Sequence, residues 1–524
     1  MDLIRLLSAI ISLFFIGYSP VYFLLLKNNS SALKFRSISG RVFVFFISFY
    51  TGMLVASIYL AILSLTGFKY SLANISIFSA VFFIASIYLF IRKELLISKS
   101  KSGKGADSKA FCGNGSGFIA KYSKESGFLI DSGKLEVNKV DKENPGKIFY
   151  IFIFLIFINF LVVLFFALLF PIKFWDAIAC WSLKGKAFFI DASIIPFFKS
   201  HDYQFAHLSY PLYLPLMQTW IYAWMGEINE NLIKVIFPLF YLSGLFIFYY
   251  LFRQKYRRVI AIIYVFIFSA LPVVMDHGYI EYTNLIFAIV LMLAVYFFYT
   301  YIKGASHTGL SVPPNSSAAA AIEPETKSYL LLSTIFFAVL AQIRSEGLFF
   351  LGIFLIIHLV LNIKMKFYFK PIISIVTPLL LSLLLMAVWI VLMYKLNIRF
   401  ISREWLPVLT GGAQNNIFSQ EIFSFSQALK ALFSELIFSA FDSTRAYLGS
   451  SYGILWGVLF IFFVLNIKKL FKNFNWIFFV FIAAGFIVLF LSLGAIVDFT
   501  WSTDRYVLHL LPLAYFWILY NLPA

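Results

Sequence analysis

The chain has 524 residues, of which 61% are hydrophobic and 13% charged, and phenylalanine alone fills 66 positions. So little polar surface excludes a soluble globular protein and points to a polytopic membrane protein. The formal charge of +18 does not indicate nucleic acid, because the basic residues fall in short segments between apolar runs rather than on one basic face.

A membrane span needs about 20 apolar residues. Thirteen segments qualify: 6–26, 42–67, 71–91, 148–171, 232–252, 259–275, 284–303, 329–344, 347–363, 371–394, 446–466, 476–497 and 506–522. The first carries no small-residue cleavage site and is expected to stay as a span. Four basic groups (Lys27 to Arg41, Arg253 to Arg258, Lys364 to Lys370, Lys468 to Lys472) then fall on one side, the cytoplasmic one by the positive-inside rule. This places the N-terminus outside and the C-terminus inside. Cys112 and Cys180 land on opposite sides, which argues against a disulfide.

The domain reading follows. Residues 1–91 form an N-terminal three-span addition, and residues 92–147 a basic cytoplasmic linker rich in Gly, Ser and Lys. Its CGNGSGF stretch lacks the G-x-x-x-x-G-K-[ST] pattern of a phosphate loop, so a flexible linker is expected. Residues 148–524 hold the remaining spans, with a large outer loop at 172–231 and a second at 395–445. The second contains Gly411-Gly412 and Gln414-Asn415-Asn416, the composition of a mobile loop. Residues 304–328 are a low-complexity connector.

Ionisable residues near membrane depth are costly and mark function. Four groups stand out, all on the outer side of this topology. The first is FWDAIACWSLKGKAFF, from Phe174 to Phe189. At helical spacing Phe174, Ile178, Trp181, Gly185 and Phe188 share one face, and Asp176, Cys180 and Lys184 line the other. That suits an interfacial helix with its aromatic face in lipid and Asp176 at the mouth of a cavity. The same aspartate fits equally as an N-cap. The second group runs from His201 to Glu227. His201, Asp202 and His207 are of metal-ligating type but lack tight ligand spacing, so solvated loop residues are expected. Tyr210-Pro211 and Pro215 suggest a broken or interfacial helix.

The third group, MDHGYIEYTN (Met275 to Asn284), holds Asp276, His277 and Glu281 in a short outer loop. The fourth comprises Arg344 and Glu346 in AQIRSEGLFF, and Arg505 in FTWSTDRYVLHLLP. Arginines on the outer side run against the positive-inside bias. Their forked donors match phosphate, and local ion pairs with Glu346 and Asp504 are the plainer alternative.

In this order, WDAIACWSLKGKAFF, YPLYLPLMQTWIYAWMGE, GYIEYTNLIFA, IRSEGLFFLGIF and DRYVLHLLPL resemble the GT-C superfamily of membrane glycosyltransferases. That group includes family 39 protein O-mannosyltransferases and the transferases that add aminoarabinose to lipid A. The resemblance covers about 148–522. It implies an all-α polytopic fold in the inner (plasma) membrane of the cell envelope, with the site on the periplasmic or exterior face. The implied donor is a sugar on a polyprenyl phosphate, and the acceptor a lipid, glycan or protein hydroxyl. Asp176 is similar to the family's general base. Many relatives carry two adjacent acids there, whereas this chain has Asp176-Ala177, so Glu281, or Glu346, is the expected second carboxylate.

Under that resemblance Arg505, Arg344 and Lys184 bind donor phosphate, and Trp175, Trp181, His207, Tyr210 and Tyr506 are candidate substrate contacts. Relatives differ in metal dependence, which leaves a divalent cation open. Two other classes compete. A transporter or lipid flippase would concentrate charge at the bilayer midplane, often in two repeated halves. An O-antigen polymerase or ligase would rely chiefly on outward arginines.

Overall fold

In the computed structural model the described residues are 2–26, 38–102, 146–311, 317–365, 371–398, 455–472, 474–493 and 499–522, and every regular element among them is helical. Among the described residues eight helices are long and apolar enough to cross a membrane: Asp2–Leu25, Gly40–Thr66, Leu72–Arg92, Lys147–Leu169, Glu230–Arg253, Asn284–Ser306, Thr326–Ile343 and Val376–Lys395. Arg258–Ser269, Gly347–Ile363 and Trp476–Leu489 are apolar but shorter. The segments expected at 446–466 and 506–522 overlap the helices Leu455–Leu470 and Phe499–Tyr520. The protein is thus of the all-α membrane class. Linker residues 103–145, with Cys112, and nearly all of the second outer loop lie outside the described residues. Much of the 304–328 connector continues its flanking helices, to Ser311 and from Ser317.

The N-terminal helices α1 (Asp2–Val21), α2 (Ile38–Thr66) and α3 (Leu72–Ser102) are built into the rest of the chain. Gly17 and Gly52 let α1 and α2 touch backbone to backbone. A Cβ on Gly17 would lie 1.7 Å from the Ser48 carbonyl oxygen, and one on Gly52 would lie 1.8 Å from that of Leu13. Small residues at such crossings allow close helix packing where lipid offers no hydrophobic drive. Helix α4 (Lys147–Leu169) exposes Ile151, Phe154 and Phe165, an apolar surface suited to hydrocarbon.

After α4 come α5 (Leu183–Ile190), α6 (Tyr213–Met225), α7 (Ile236–Arg253) and α8 (Arg258–Ser269). Polar side chains pin α6 and α7 to the N-terminal helices. Trp220 Nε1 donates to Ser12 Oγ at 3.1 Å, and Tyr213 Oη to the Tyr50 carbonyl at 3.0 Å. Tyr50 Oη and Ser243 Oγ are 2.7 Å apart. The N-terminal helices therefore brace the segment that leads out of Tyr210.

The centre is α9 (Asn284–Ser311), apolar around its whole circumference over the first five turns and correspondingly buried. It packs on α10 (Ser317–Ile343) and α15 (Phe499–Tyr520). The remaining helices are α11 (Gly347–Met365), α12 (Pro371–Lys395), α13 (Leu455–Leu470) and α14 (Trp476–Leu493). Asp176 follows α4, Asn284 opens α9, Arg344 directly follows α10, and Arg505 lies near the start of α15. These four helix ends meet at one end of the bundle.

Candidate functional site

Asp176 opens a π-helical turn, Asp176–Ser182, that runs directly into α5. The Leu183 N–H reaches back five residues to the Ile178 carbonyl. The residue before the turn, Trp175, is its cap, and Asp176 makes no capping bond. The turn also changes which side chains share a face. Trp181 and Phe188, expected in lipid, are buried in protein. Trp181 stacks on Tyr210 with ring centres 5.7 Å apart, and Phe188 packs against Phe197 at 5.5 Å. Ile178, of the same expected face, is exposed as expected; Trp175, which that face did not include, is also exposed, beside Phe205 at 6.0 Å. The cause is the wider π turn, which slips the ordinary helical spacing by a residue. Gly185 completes the inward docking, since a Cβ there would sit 2.8 Å from Gln218 Oε1 of α6.

Asp176 points to α15. Arg505 Nη1 donates to Asp176 Oδ2 at 2.6 Å, across 329 positions of sequence. The same guanidinium lies over the Tyr282 ring, 5.1 Å from its centre. Arg344 stands nearby in a denser network. It meets Glu346 through Nη2 at 3.0 Å and through Nε at 3.3 and 3.4 Å. Its Nη1 donates to Asn284 Oδ1 at 2.9 Å and its Nη2 to Tyr506 Oη at 3.3 Å. Tyr506, neighbour of Arg505, thereby ties the two arginines together. Burial alone would push the Glu346 carboxyl up, but the Arg344 charge and its hydrogen bonds outweigh it and hold the carboxyl below its usual range.

Asn284 joins two buried histidines to this network. His277 Nδ1 lies 2.9 Å from the Val273 carbonyl, so that nitrogen carries the proton in the neutral ring. Its Nε2 then accepts from Asn284 Nδ2 at 3.4 Å, while Asn284 Oδ1 faces His509 Nε2 at 3.4 Å as well as Arg344. Burial pulls the His277 imidazole down to about 4, so the ring is neutral at physiological pH.

Two expected site residues point elsewhere. Lys184 is fully buried, and its Nζ donates to the His207 carbonyl at 2.8 Å. His207 adopts φ 46°, a left-handed conformation that non-glycine residues hold only under local constraint, and its carbonyl also accepts from the Tyr210 N–H at 3.0 Å. Its ring stacks on Tyr210 at 4.9 Å. Burial pulls the Lys184 amine down to about 8, with Cys180 acting in the opposite sense. Lys184 thus supports the loop bearing His207 and Tyr210.

Glu281 is also buried, and the charges that act on it are those of Lys234 and Glu230. Burial pushes its carboxyl up to about 7, against its own backbone N–H and the Lys234 charge, with Glu230 adding to the rise. Lys234 donates to the Phe170 carbonyl, and Glu230 pairs with Lys186. Asp276, pushed by burial up to about 6, accepts from Tyr279 Oη at 3.0 Å.

The folded chain therefore brings together Asp176, Arg505, Arg344, Glu346 and Tyr506, which were all singled out in the sequence, with Tyr282, Asn284 and His509, which were not. Asn284 reads as an ordinary residue opening an apolar helix. His509 carried one available signal, its position four residues after Arg505 on the same helix face. Among the described residues no group of three or more His, Cys, Asp or Glu side chains converges as metal ligands do. Comparison with protein-family models, with curated proteins and with solved structures returns no match.

Proposed function

We propose that the chain is an integral membrane glycosyltransferase that moves a sugar from a polyprenyl phosphate to an acceptor hydroxyl, with inversion, on the outer face. The reading takes thirteen spans with the N-terminus outside, of which the eight long apolar helices are the firmest members. The observation that carries it is the pairing of an acid with an arginine at the meeting of four helix ends. Asp176 supplies a carboxylate, Arg505 a guanidinium, and Arg344 a second guanidinium bonded to Tyr506, the residue next to Arg505. Sugar transfer from a lipid phosphate asks for this inventory. The acceptor O–H loses its proton to Asp176 as its oxygen forms the new bond to the anomeric carbon. The bond from that carbon to the phosphate oxygen breaks, and the lipid phosphate leaves with the electron pair, stabilised by Arg505 and Arg344. Attack opposite the leaving group inverts the centre.

Glu281, buried near Lys234 and Glu230, suits contact with the acceptor better than with the phosphate. The charged groups gather at one end of the bundle, which favours this reading over a transporter with charges at the midplane. The test is transfer of labelled sugar from a polyprenyl-phosphate donor in reconstituted vesicles. Asp176→Asn is expected to lower turnover by about 10²–10⁴-fold, the usual contribution of a general base. A folded Asp176→Asn protein with wild-type turnover ends the assignment. Movement of lipid with no new glycosidic bond supports the transporter instead.

A further inference from the structure

Two guanidinium groups and two carboxylates face one another at this end of the bundle: Arg344 with Glu346, and Arg505 with Asp176. Their charges cancel, and His277 beside them is neutral. A phosphate anion leaving water for such a site needs a cation that is not already matched. One of the two pairs must therefore open when the anion arrives; each guanidinium lies over a tyrosine ring, and the pairs differ in burial and in the number of bonds between the partners.

The Glu346 side chain is 4% exposed and Arg344 14%. They share three nitrogen–oxygen contacts, Ser345 Oγ adds a fourth bond to Glu346, and Arg344 is held laterally by Asn284 and Tyr506. Asp176 is 34% exposed and Arg505 23%, and one 2.6 Å hydrogen bond joins them. Asp176 also sits at the first residue of a π turn rather than inside a long helix. A partly solvated pair loses little on separation because water replaces each partner, whereas a buried pair leaves a bare charge.

We infer that a lipid phosphate enters by exchange, its oxygens replacing Asp176 on the Arg505 guanidinium and releasing the Asp176 carboxylate, while the Arg344–Glu346 pair stays closed. This rests on the reading of the site as a lipid-phosphate sugar transferase. It makes donor binding the event that frees the base. No covalent bond changes in this step, and charge is conserved by exchange of one anion for another.

The experiment measures binding of polyprenyl monophosphate, without sugar, to the detergent-solubilised full chain. Asp176→Asn removes the competing anion and should bind it about tenfold more tightly than wild type, while losing transfer activity. Arg505→Ala should lose binding. Equal or weaker binding by folded Asp176→Asn overturns the exchange, even if transfer activity is found. Tighter binding with no transfer by wild type keeps the exchange and overturns the transferase reading. A second measurement needs no variant: modification of Asp176 by a water-soluble carbodiimide, read by peptide mass spectrometry. Addition of polyprenyl monophosphate should raise modification by freeing the carboxylate, and protection would overturn the proposal.

Discussion

The two ion pairs at this end of the bundle use the same chemistry and are built oppositely. Arg344 and Glu346 are two residues apart, buried, and tied by several hydrogen bonds in a tight turn between α10 and α11. Arg505 and Asp176 are 329 positions apart, are a quarter to a third exposed, and share one bond. A local, buried pair acts as a structural knot that positions an arginine. A distant, partly solvated pair is the one that the proposed exchange opens to another ligand.

The comparison breaks first at the knot. Glu346→Gln leaves the Arg344 guanidinium buried without its counter-charge and should cost about 3–5 kcal/mol, the range found when one partner of a buried pair is removed. Thermal unfolding in detergent measures it. Asp176→Asn, by contrast, should lie within about 1 kcal/mol of wild type, as for a solvated pair. Similar losses from both variants would erase the distinction.

Glu281 sharpens it from the other side, as a buried acid with no such arginine. Its carboxyl titrates near 7 in the folded chain and near 4.5 in an ordinary environment. A raised value means that its contribution to stability is complete below about pH 4.5 and is lost as pH rises through about 7. Between pH 5 and 8 wild type should lose up to about 3 kcal/mol from this group, and Glu281→Gln should remove that part of the slope. Asp276 slopes the same way and His277 the opposite way, so the difference between wild type and variant at each pH is the informative quantity. An unchanged slope in the variant would show Glu281 to be solvated.

Asn284 holds the knot laterally. Asn284→Ala strips an acceptor from Arg344 and a donor from His277, both in buried surroundings, and should cost about 1–3 kcal/mol. Because Arg344 keeps Glu346, polyprenyl-phosphate binding should weaken without vanishing. Complete loss of binding would mean that Asn284 itself touches the ligand.

What the sequence made legible follows from which forces act locally. Lipid forces backbone groups to pair within a segment, so apolar runs and helices coincide along nearly the whole described chain. The expected thirteen spans put Asp176, Arg344 and Arg505 on one side, and the structure brings Asp176 to Arg505 and Arg344 to Tyr506. Which way each side chain faces was not legible. The helical plot of 174–188 assumed regular α spacing, and the π turn at 176–182 moved Trp181 and Phe188 from lipid into protein. Asn284 and His509 are 225 positions apart and meet only because α9 and α15 pack together, a tertiary fact with no periodic trace. The bracing of α6 by Ser12 and Tyr50 is of the same kind, and it makes the three N-terminal helices part of the site's support.

Lys184 should show the smallest effect, and it separates supporting residues from working ones. Its amine titrates near 8, below the usual 10.5, because burial disfavours the charged form. A lowered value means that stability is complete only above about pH 10.5 and falls as pH drops through about 8, so at pH 7 the buried cation is a burden. Lys184→Met keeps the length and apolar stem, removes that burden, and forfeits one hydrogen bond to a carbonyl that still receives the Tyr210 N–H. The two changes oppose each other, and the net should fall within about 1 kcal/mol at pH 7. Had Lys184 been a phosphate ligand, its loss would weaken polyprenyl-phosphate binding as Arg505→Ala does. With Nζ turned to His207, the Met variant should bind the lipid phosphate as wild type does, as expected if Arg505 is the cation that the phosphate takes from Asp176.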